Sequence, residues 1–552
     1  MKIKTKILSL GLLSTFIAAP LATISCGGNE IDKSKFETTK FYDEYIEGNH
    51  GRQAGNVYNF EGGSAKGLEG VAPLTKVKAS QLVAKNPFVK GQKLDEKQAI
   101  YGSYHAYNYL LNKLAEMGYT SHNEEDIEYP ALTDVEFQEG TTTRTKNQVA
   151  EVNRQVLVGR AKYVTIDTAK TEDYTNKMKQ DGFFTQTFLF DTKDRVNAGQ
   201  YSYNQLGQNI VVTINPSSDL VKDEKEMKDY FIVSHYDSTS EGPEKASWGA
   251  TDNGTSVGVN LALLDYFSKP ENRKHLGVRL HIVFADAEEL GVLGTQAFVE
   301  QMFIKGREEV EENGTKTNKL VYNPLKETTL AMINMDTIAG GDRVYVHSAN
   351  SDPFLDAVGN TSTKVRDQIS GLASQLALQK NDVGYMLEIH PQVEEGGYRA
   401  GETGTWSDHA PFALKVDVPI AYLESTNFFI WSKENAFDGY SQTANPQAYI
   451  LQDGTVLGYN KVQKNGTELE LYVLPEGKTV DDYLVSGNIW HSDLDRPDWL
   501  NKNIGSKIYK QLKVVYDVLI LYFNTMATRL TTTGDQPDGS KKVIEDRLQL
   551  VI

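Results

Sequence analysis

The chain has 552 residues, with 57 Lys+Arg against 74 Asp+Glu, a net charge of −17 and a single cysteine. One cysteine excludes an intramolecular disulfide and any Cys₂ or Cys₄ zinc site, so a bound metal must rest on His, Asp and Glu. The acid excess argues against a broad nucleic-acid surface, and 39% apolar residues with 10% aromatics suffice for a large core. Taken in chain order, the first 25 residues read as a secretory leader: Lys2, Lys4 and Lys6, then an apolar run from Ile7 to about Leu21. Leu21-Ala22-Thr23-Ile24-Ser25-Cys26 followed by Gly27-Gly28 resembles a bacterial lipobox, with the only cysteine at its last position. The expectation is lipid attachment at Cys26 and cleavage before it, which removes three lysines and no acid. The protein would then sit lipid-anchored on the extracytoplasmic face of the cell membrane. Residues 26–40 are polar and read as a tether. No other segment has the roughly eighteen uncharged apolar residues that a membrane helix needs.

From residue 41 helical and strand patterns alternate. Residues 94–118 carry apolar positions at helical spacing and end at Gly118. Short β-rich runs follow at 208–214, 229–234, 278–284, 329–334 and 419–423. Several are continuous apolar runs, the pattern of strands buried on both faces. Helices are predicted at 254–268, 291–303, 352–376 and 504–530. The fold class is therefore α/β: a doubly wound, mostly parallel mixed sheet flanked by helices. A domain over 41–530 carries two stretches that fit this alternation poorly, 120–195 and 426–487. Both read as insertions, the second as a roof over the site or as a small separate β domain. Residues 531–552 read as a polar C-terminal tail that frays.

Five segments stand out near strand ends or helix starts. They are Ser234-His235-Tyr236-Asp237, Ala250-Thr251-Asp252-Asn253-Gly254, Asp286-Ala287-Glu288-Glu289, Asn334-Met335-Asp336 and Trp490-His491-Ser492-Asp493. In open α/β sheets ligands bind beyond the carboxyl ends of the strands, so these acids and histidines converge there. The segments contain no Lys or Arg to offset the acids, and a divalent cation would. His and carboxylate donors suit Zn²⁺ and related ions. Neighbours in a regular strand point to opposite faces, so Glu288 and Glu289 can serve one site only from an irregular loop. Singly, each segment is weak; the ordered set carries the reading.

That set resembles the M28 family of zinc peptidases, the aminopeptidase and glutamate carboxypeptidase II-like group. The resemblance runs from about residue 40 to 530 and is strongest from His235 to Phe298. Gly51-Arg52-Gln53-Ala54-Gly55 resembles the family's early Arg-x-x-Gly turn. It implies a zinc-exopeptidase fold and two Zn²⁺ ions, with Co²⁺ or Mn²⁺ as substitutes. By position, Asp252 would bridge the ions, His235 and Asp336 would complete one, and Glu289 and His491 the other. Glu288 would be the general base, and Asp237 would orient His235 through its other ring nitrogen. Ser407-Asp408-His409 resembles the family's Ser-Asp-His segment near the substrate; Asp408 is expected as a supporting acid, while His409 does not fall at a ligand position. The implied activity is removal of N-terminal residues from peptides. Its rivals are a single-zinc glutaminyl-peptide cyclotransferase, with acids at Glu288 and Asp408, and a non-catalytic surface lipoprotein. Three departures stand out: a long gap between His409 and His491, no counterpart of the family's oxyanion tyrosine except the distant Tyr398, and no protease-associated insert. The preferred residue, carboxypeptidase polarity and oligomeric state stay open.

Overall fold

The computed structural model describes residues 39–48, 102–123, 162–193, 201–239, 248–312, 315–349, 362–389, 406–428, 441–463, 470–535 and 541–550, with short strands at 76–78, 126–128, 132–137, 144–149, 153–158 and 430–431. Cys26, the turn at 51–55 and Tyr398 lie outside them. The sheet is built from β1 (Asn153–Val158), β2 (Lys162–Asp167), β3 (Gly182–Lys193), β4 (Tyr201–Ile214), β5 (Asp229–His235), β6 (Arg279–Ala285), β7 (Thr329–Met335), β8 (Arg343–His347), β9 (Glu388–Ile389) and β10 (Ile420–Thr426). Their order across the sheet is β9-β8-β10-β7-β5-β6-β4-β3-β2-β1. The central strands β10, β7, β5 and β6 run parallel to one another. From β6 outward through β4, β3, β2 and β1 every pairing is antiparallel, and β8 runs against β10.

Every residue of β5 and β6 is buried, which explains the apolar runs Tyr230–Val233 and Ile282–Ala285 within them. Alternation then divides the side chains between two cores. Tyr230, Ile232, Leu280 and Ile282 face α3 (Gly254–Ser268) and α6 (Lys507–Thr525). Phe231, Val233 and Val283 face α4 (Leu293–Met302) and Phe412. The first described helix, α1 (Lys40–Gly48), lies on α3 where Gly258 leaves room; a Cβ there would stand 2.7 Å from Tyr42 Cα. α2 (Gly102–Glu116) and α5 (Lys364–Lys380) complete the longer helices. Among the described residues no helix is long and apolar enough to cross a membrane.

The stretch 120–195, read as an insertion, joins the large sheet in part: Lys162–Asp167 and Gly182–Lys193 extend it. Its polarity misleads because Gln186 is buried with its amide used: Oε1 accepts a hydrogen bond from Asn209 Nδ2 (2.8 Å) and Nε2 donates to the Ala297 carbonyl (3.1 Å). The stretch after 531 does not fray as a tail; Ala527–Asp535 and Lys541–Leu550 pair as an antiparallel hairpin. Charge pairing helps to hold it, with Arg529 donating to Asp546 and Glu226, each at 2.6 Å, so hydropathy gives little sign of it. The described parts of 426–487 join the main core: Tyr449, Tyr483 and Val485 pack in the same cluster as Leu512 and Val515.

Candidate metal centre

The central strands deliver the acids and histidines to one edge. β5 ends in His235, Glu288 and Glu289 follow β6, Asp336 follows β7, Asp252 precedes α3, and His491 comes from the loop before the last helices. His235 Nε2 lies 3.2 Å from Asp252 Oδ1 and 3.4 Å from Asp336 Oδ1. His491 Nε2 lies 3.2 Å from Asp252 Oδ2 and 2.9 Å from Glu289 Oε2. Two donor sets result, His235–Asp252–Asp336 and Asp252–Glu289–His491, sharing Asp252 through its two different oxygens. Glu288 Oε2 stands 3.9 Å from His235 Nε2 and belongs to neither set.

A second layer holds these groups. His235 Nδ1 donates to the Asp237 carbonyl at 3.1 Å. A carbonyl can only accept, so Nδ1 carries a proton and Nε2 is the nitrogen a metal would take. The Asp237 carboxylate is farther from that nitrogen, at 3.5 Å. It accepts instead from the backbone N–H groups of Glu288 and Glu289, both at 3.2 Å. Asp237 thus braces the Glu288-Glu289 loop with its side chain and His235 with its backbone. Asp336 Oδ2 accepts from Ser407 (2.8 Å) and its Oδ1 from Thr337 (3.0 Å). Asn253 bridges two loops by donating to the Met335 carbonyl and accepting from Thr337 N–H. Left-handed backbone gathers here too: Ala287, Val292, Thr337 and His491 have φ of 56, 61, 53 and 57°. Side chains rarely adopt that region, and β-branched Thr337 and Val292 least of all, so the loops need such bracing.

The electrostatics are those of crowded acids. Asp237, Asp252, Asp286, Glu288, Glu289, Asp408 and Asp495 are all buried, and no described Lys or Arg pairs with any of them. Burial lifts Glu288 well above the ordinary carboxylate range, with Asp336, Asp408 and Glu289 adding to the lift against the pull of His235. Burial likewise raises Glu289 and Asp408 to about 7 and Asp286 to about 8. Asp252 goes the other way: burial would raise it, but His235 and His491 hold it below its usual value. Burial opposes protonation of both histidines, yet the surrounding carboxylates raise them well above 6.5. Asp252 Oδ1 and Glu289 Oε1 are buried without a hydrogen-bond donor. Buried carboxylate oxygens lacking donors, facing imidazole nitrogens, fit one or two divalent cations held by N and O ligands.

The ligand candidates expected from sequence therefore meet, and His409 and Asp408 lie beside them, outside both donor sets. His409 is buried beside the site but stacks on Tyr422 at 5.0 Å and lies outside both donor sets. Asp408 accepts from Thr295 Oγ1 rather than facing a histidine at contact distance. Sequence reading missed Asn253 and Asp495. Asp495 accepts from Thr251 N–H (2.6 Å), Thr251 Oγ1 (2.8 Å) and Asp252 N–H (3.2 Å), clamping the shared ligand. Its signal was close at hand, since it lies two residues beyond the segment that carries His491.

Among curated proteins the chain is similar to a vacuolar membrane protease of Arthroderma otae, 27% identical over 154 residues, 28% of this chain and 13% of that one. It is also similar to a glutamate carboxypeptidase 2 homolog of Caenorhabditis elegans, 24% identical over 208 residues, 37% of this chain and 23% of that one. The chain thus spans less than a quarter of either relative. Solved structures similar to it include a zinc aminopeptidase from Bacillus subtilis (15% identity, TM-score 0.31, 58% of this chain and 51% of that one). An Acidobacteriales bacterium glutaminyl cyclase gives 14% identity and a TM-score of 0.33, covering 65% and 85%. The profile of peptidase family M28 matches residues 209–503, more than half of the chain and the stretch that carries both donor sets. By that match the chain belongs to peptidase family M28, a family of metallopeptidases.

Proposed function

We propose that the protein is a metal-dependent exopeptidase, an aminopeptidase that removes N-terminal residues from peptides, with Glu288 as general base. The observation that carries this reading is the sharing of Asp252 between two complete donor sets. His235, Asp252 and Asp336 would hold one Zn²⁺, and Asp252, Glu289 and His491 a second; Co²⁺ or Mn²⁺ suits the same donors. Bound there, such ions supply Lewis acidity toward a water and a peptide carbonyl. Glu288 sits beside the sets and outside them, with a proton affinity raised by burial. It takes a proton from the attacking water and returns it to the leaving amine. The N–H groups of Glu288 and Glu289 are tied to Asp237, which keeps the base from swinging away. We further propose that Cys26 anchors the enzyme by lipid to the extracytoplasmic face of the cell membrane.

The test is a panel of aminoacyl chromogenic substrates beside an N-terminal glutamine peptide, with and without chelator. Chelator-sensitive release of N-terminal residues is expected, with two ions per chain. Cyclisation of glutamine alone, or turnover that survives chelation, refutes the aminopeptidase reading. Glu288→Gln should lower turnover by about 10²- to 10⁴-fold with metal content unchanged, and retained activity refutes its role as base.

A further inference from the structure

His491 reaches the centre from the loop that follows 426–487. With φ at 57° it stands in a left-handed conformation, so something must hold the loop. Just before it, the N–H groups of Ile489 and Trp490 both donate to Gln442 Oε1, at 2.8 and 2.7 Å. Gln442 is 1% exposed. Its own backbone is fixed: its N–H donates to the Gly487 carbonyl and its carbonyl accepts from Asp342 N–H. Asp342 is a hub whose carboxylate accepts from Asn427 Nδ2 (2.5 Å), Thr443 Oγ1 (2.9 Å), Ala444 N–H (2.7 Å) and Lys507 Nζ (3.0 Å). Helix α6, Asp342, the 441–444 stretch, Gln442 and the His491 loop thus form one continuous brace. Gly487 is needed for the close approach, because a Cβ there would meet Tyr449 Oη at 2.6 Å.

We infer that Gln442 is a positioning residue for His491, and that the 426–487 segment is thereby a working part of the metal centre. The inference rests on the two-ion reading above. Removing the amide oxygen strands two buried N–H groups and lets His491 relax out of the left-handed region. The set Asp252–Glu289–His491 then loses its imidazole geometry. Among the described residues no hydrogen bond links Gln442 to His235 or Asp336, so the effect should fall on the ion held by His491.

The experiment is a competitive chelator titration of the full chain, which resolves the affinities of the two Zn²⁺ ions. Gln442→Met should weaken one ion by about 10- to 100-fold, the usual cost of losing a group that orients a ligand, and leave the other unchanged. Gln442→Glu keeps an oxygen facing both N–H groups and should restore binding. Gln442→Asn, which withdraws the oxygen by one methylene, should fall between them and serves if the Met variant does not fold. In a His491→Ala background Gln442→Met should have no further effect. Unchanged affinities in the Met and Asn variants, equal weakening of both ions, or additive loss in the double variant overturns the inference. A wild-type chain that holds only one ion overturns the two-ion reading itself, and the inference with it, and is told apart because no variant is needed to see it.

Discussion

Asp237→Asn separates positioning of the base from metal binding. The carboxylate gives one oxygen to Glu288 N–H and the other to Glu289 N–H, each at 3.2 Å, in a buried setting. An asparagine keeps one acceptor and turns an NH₂ toward the other N–H. A hydrogen bond to a charged group contributes about 1.5–3 kcal/mol, and the surviving bond, no longer charge-assisted, weakens by roughly half. The gross loss is therefore about 2–4 kcal/mol. Part of it is offset, because the Asp237 charge also raises Asp286 and Asp408 and its removal relieves that repulsion. A net cost of about 2 kcal/mol shifts the thermal midpoint of a domain of this size by only about 2 °C. His235 is oriented by the Asp237 backbone carbonyl, which the substitution spares. The ion held by His235 and Asp336 should stay bound while kcat falls through misplacement of Glu288. Scanning calorimetry, metal analysis and steady-state kinetics check the three parts. A variant with wild-type midpoint and kcat refutes the brace; one that loses the His235-side ion refutes the division of labour within Asp237.

Asp495→Asn disturbs the shared ligand, so both ions should weaken, by about 10- to 100-fold in a chelator titration; loss confined to one ion would contradict its placement behind Asp252. At the far end of the sheet His281 is buried against Asp229 at 2.9 Å, and burial holds its pKa below 6.5. A depressed folded value means that its contribution is complete above the unfolded pKa and is lost as pH falls through the folded one, at up to about 1.4 kcal/mol per pH unit. Unfolding free energy measured from pH 7.5 down should therefore drop more steeply in the wild type than in His281→Gln, and parallel curves would refute the linkage. Gly258→Ala places a methyl 2.7 Å from Tyr42 Cα and Cβ, so it should destabilise the chain by about 1–3 kcal/mol through overpacking of α1 on α3; a neutral result in a denaturant titration would show that α1 shifts freely.

Much of the site was legible because strand ends are legible. Apolar runs buried on both faces announced β5, β6 and β7, and the chemistry-bearing residues stood directly after them. The predicted helix 254–268 appears with those same bounds, since its burial leaves hardly a polar face to blur the pattern. What stayed hidden depended on partners remote in sequence. Gln186 and Asn209 look like surface residues until each satisfies the other. The closing hairpin looks like a tail because its few apolar anchors, Ala527, Leu548 and Leu550, are spread among polar residues and Arg529 pairs with Asp546 across it. Asp237 was expected to act on His235 through its carboxylate; only coordinates reveal that its oxygens are already taken by the Glu288-Glu289 backbone. Gln442 lay within a stretch that read as an insertion, a roof over the site or a small β domain, with nothing in the sequence to tie it to the loop of His491.

The crowding of buried acids around Asp252 bears on how long the protein lasts, as well as on what it cleaves. Like charges packed without Lys or Arg work against the folded chain, and a cation that binds only the folded arrangement repays it through mass action. One site at a hundred times its Kd adds about 2.7 kcal/mol, and two sites add their contributions together. Susceptibility to neighbouring proteases, which attack the opened form, then follows the free metal concentration outside the chain. On the proposed reading, a protein built this way would report metal supply in its lifetime: scarcity would both idle it and mark it for removal.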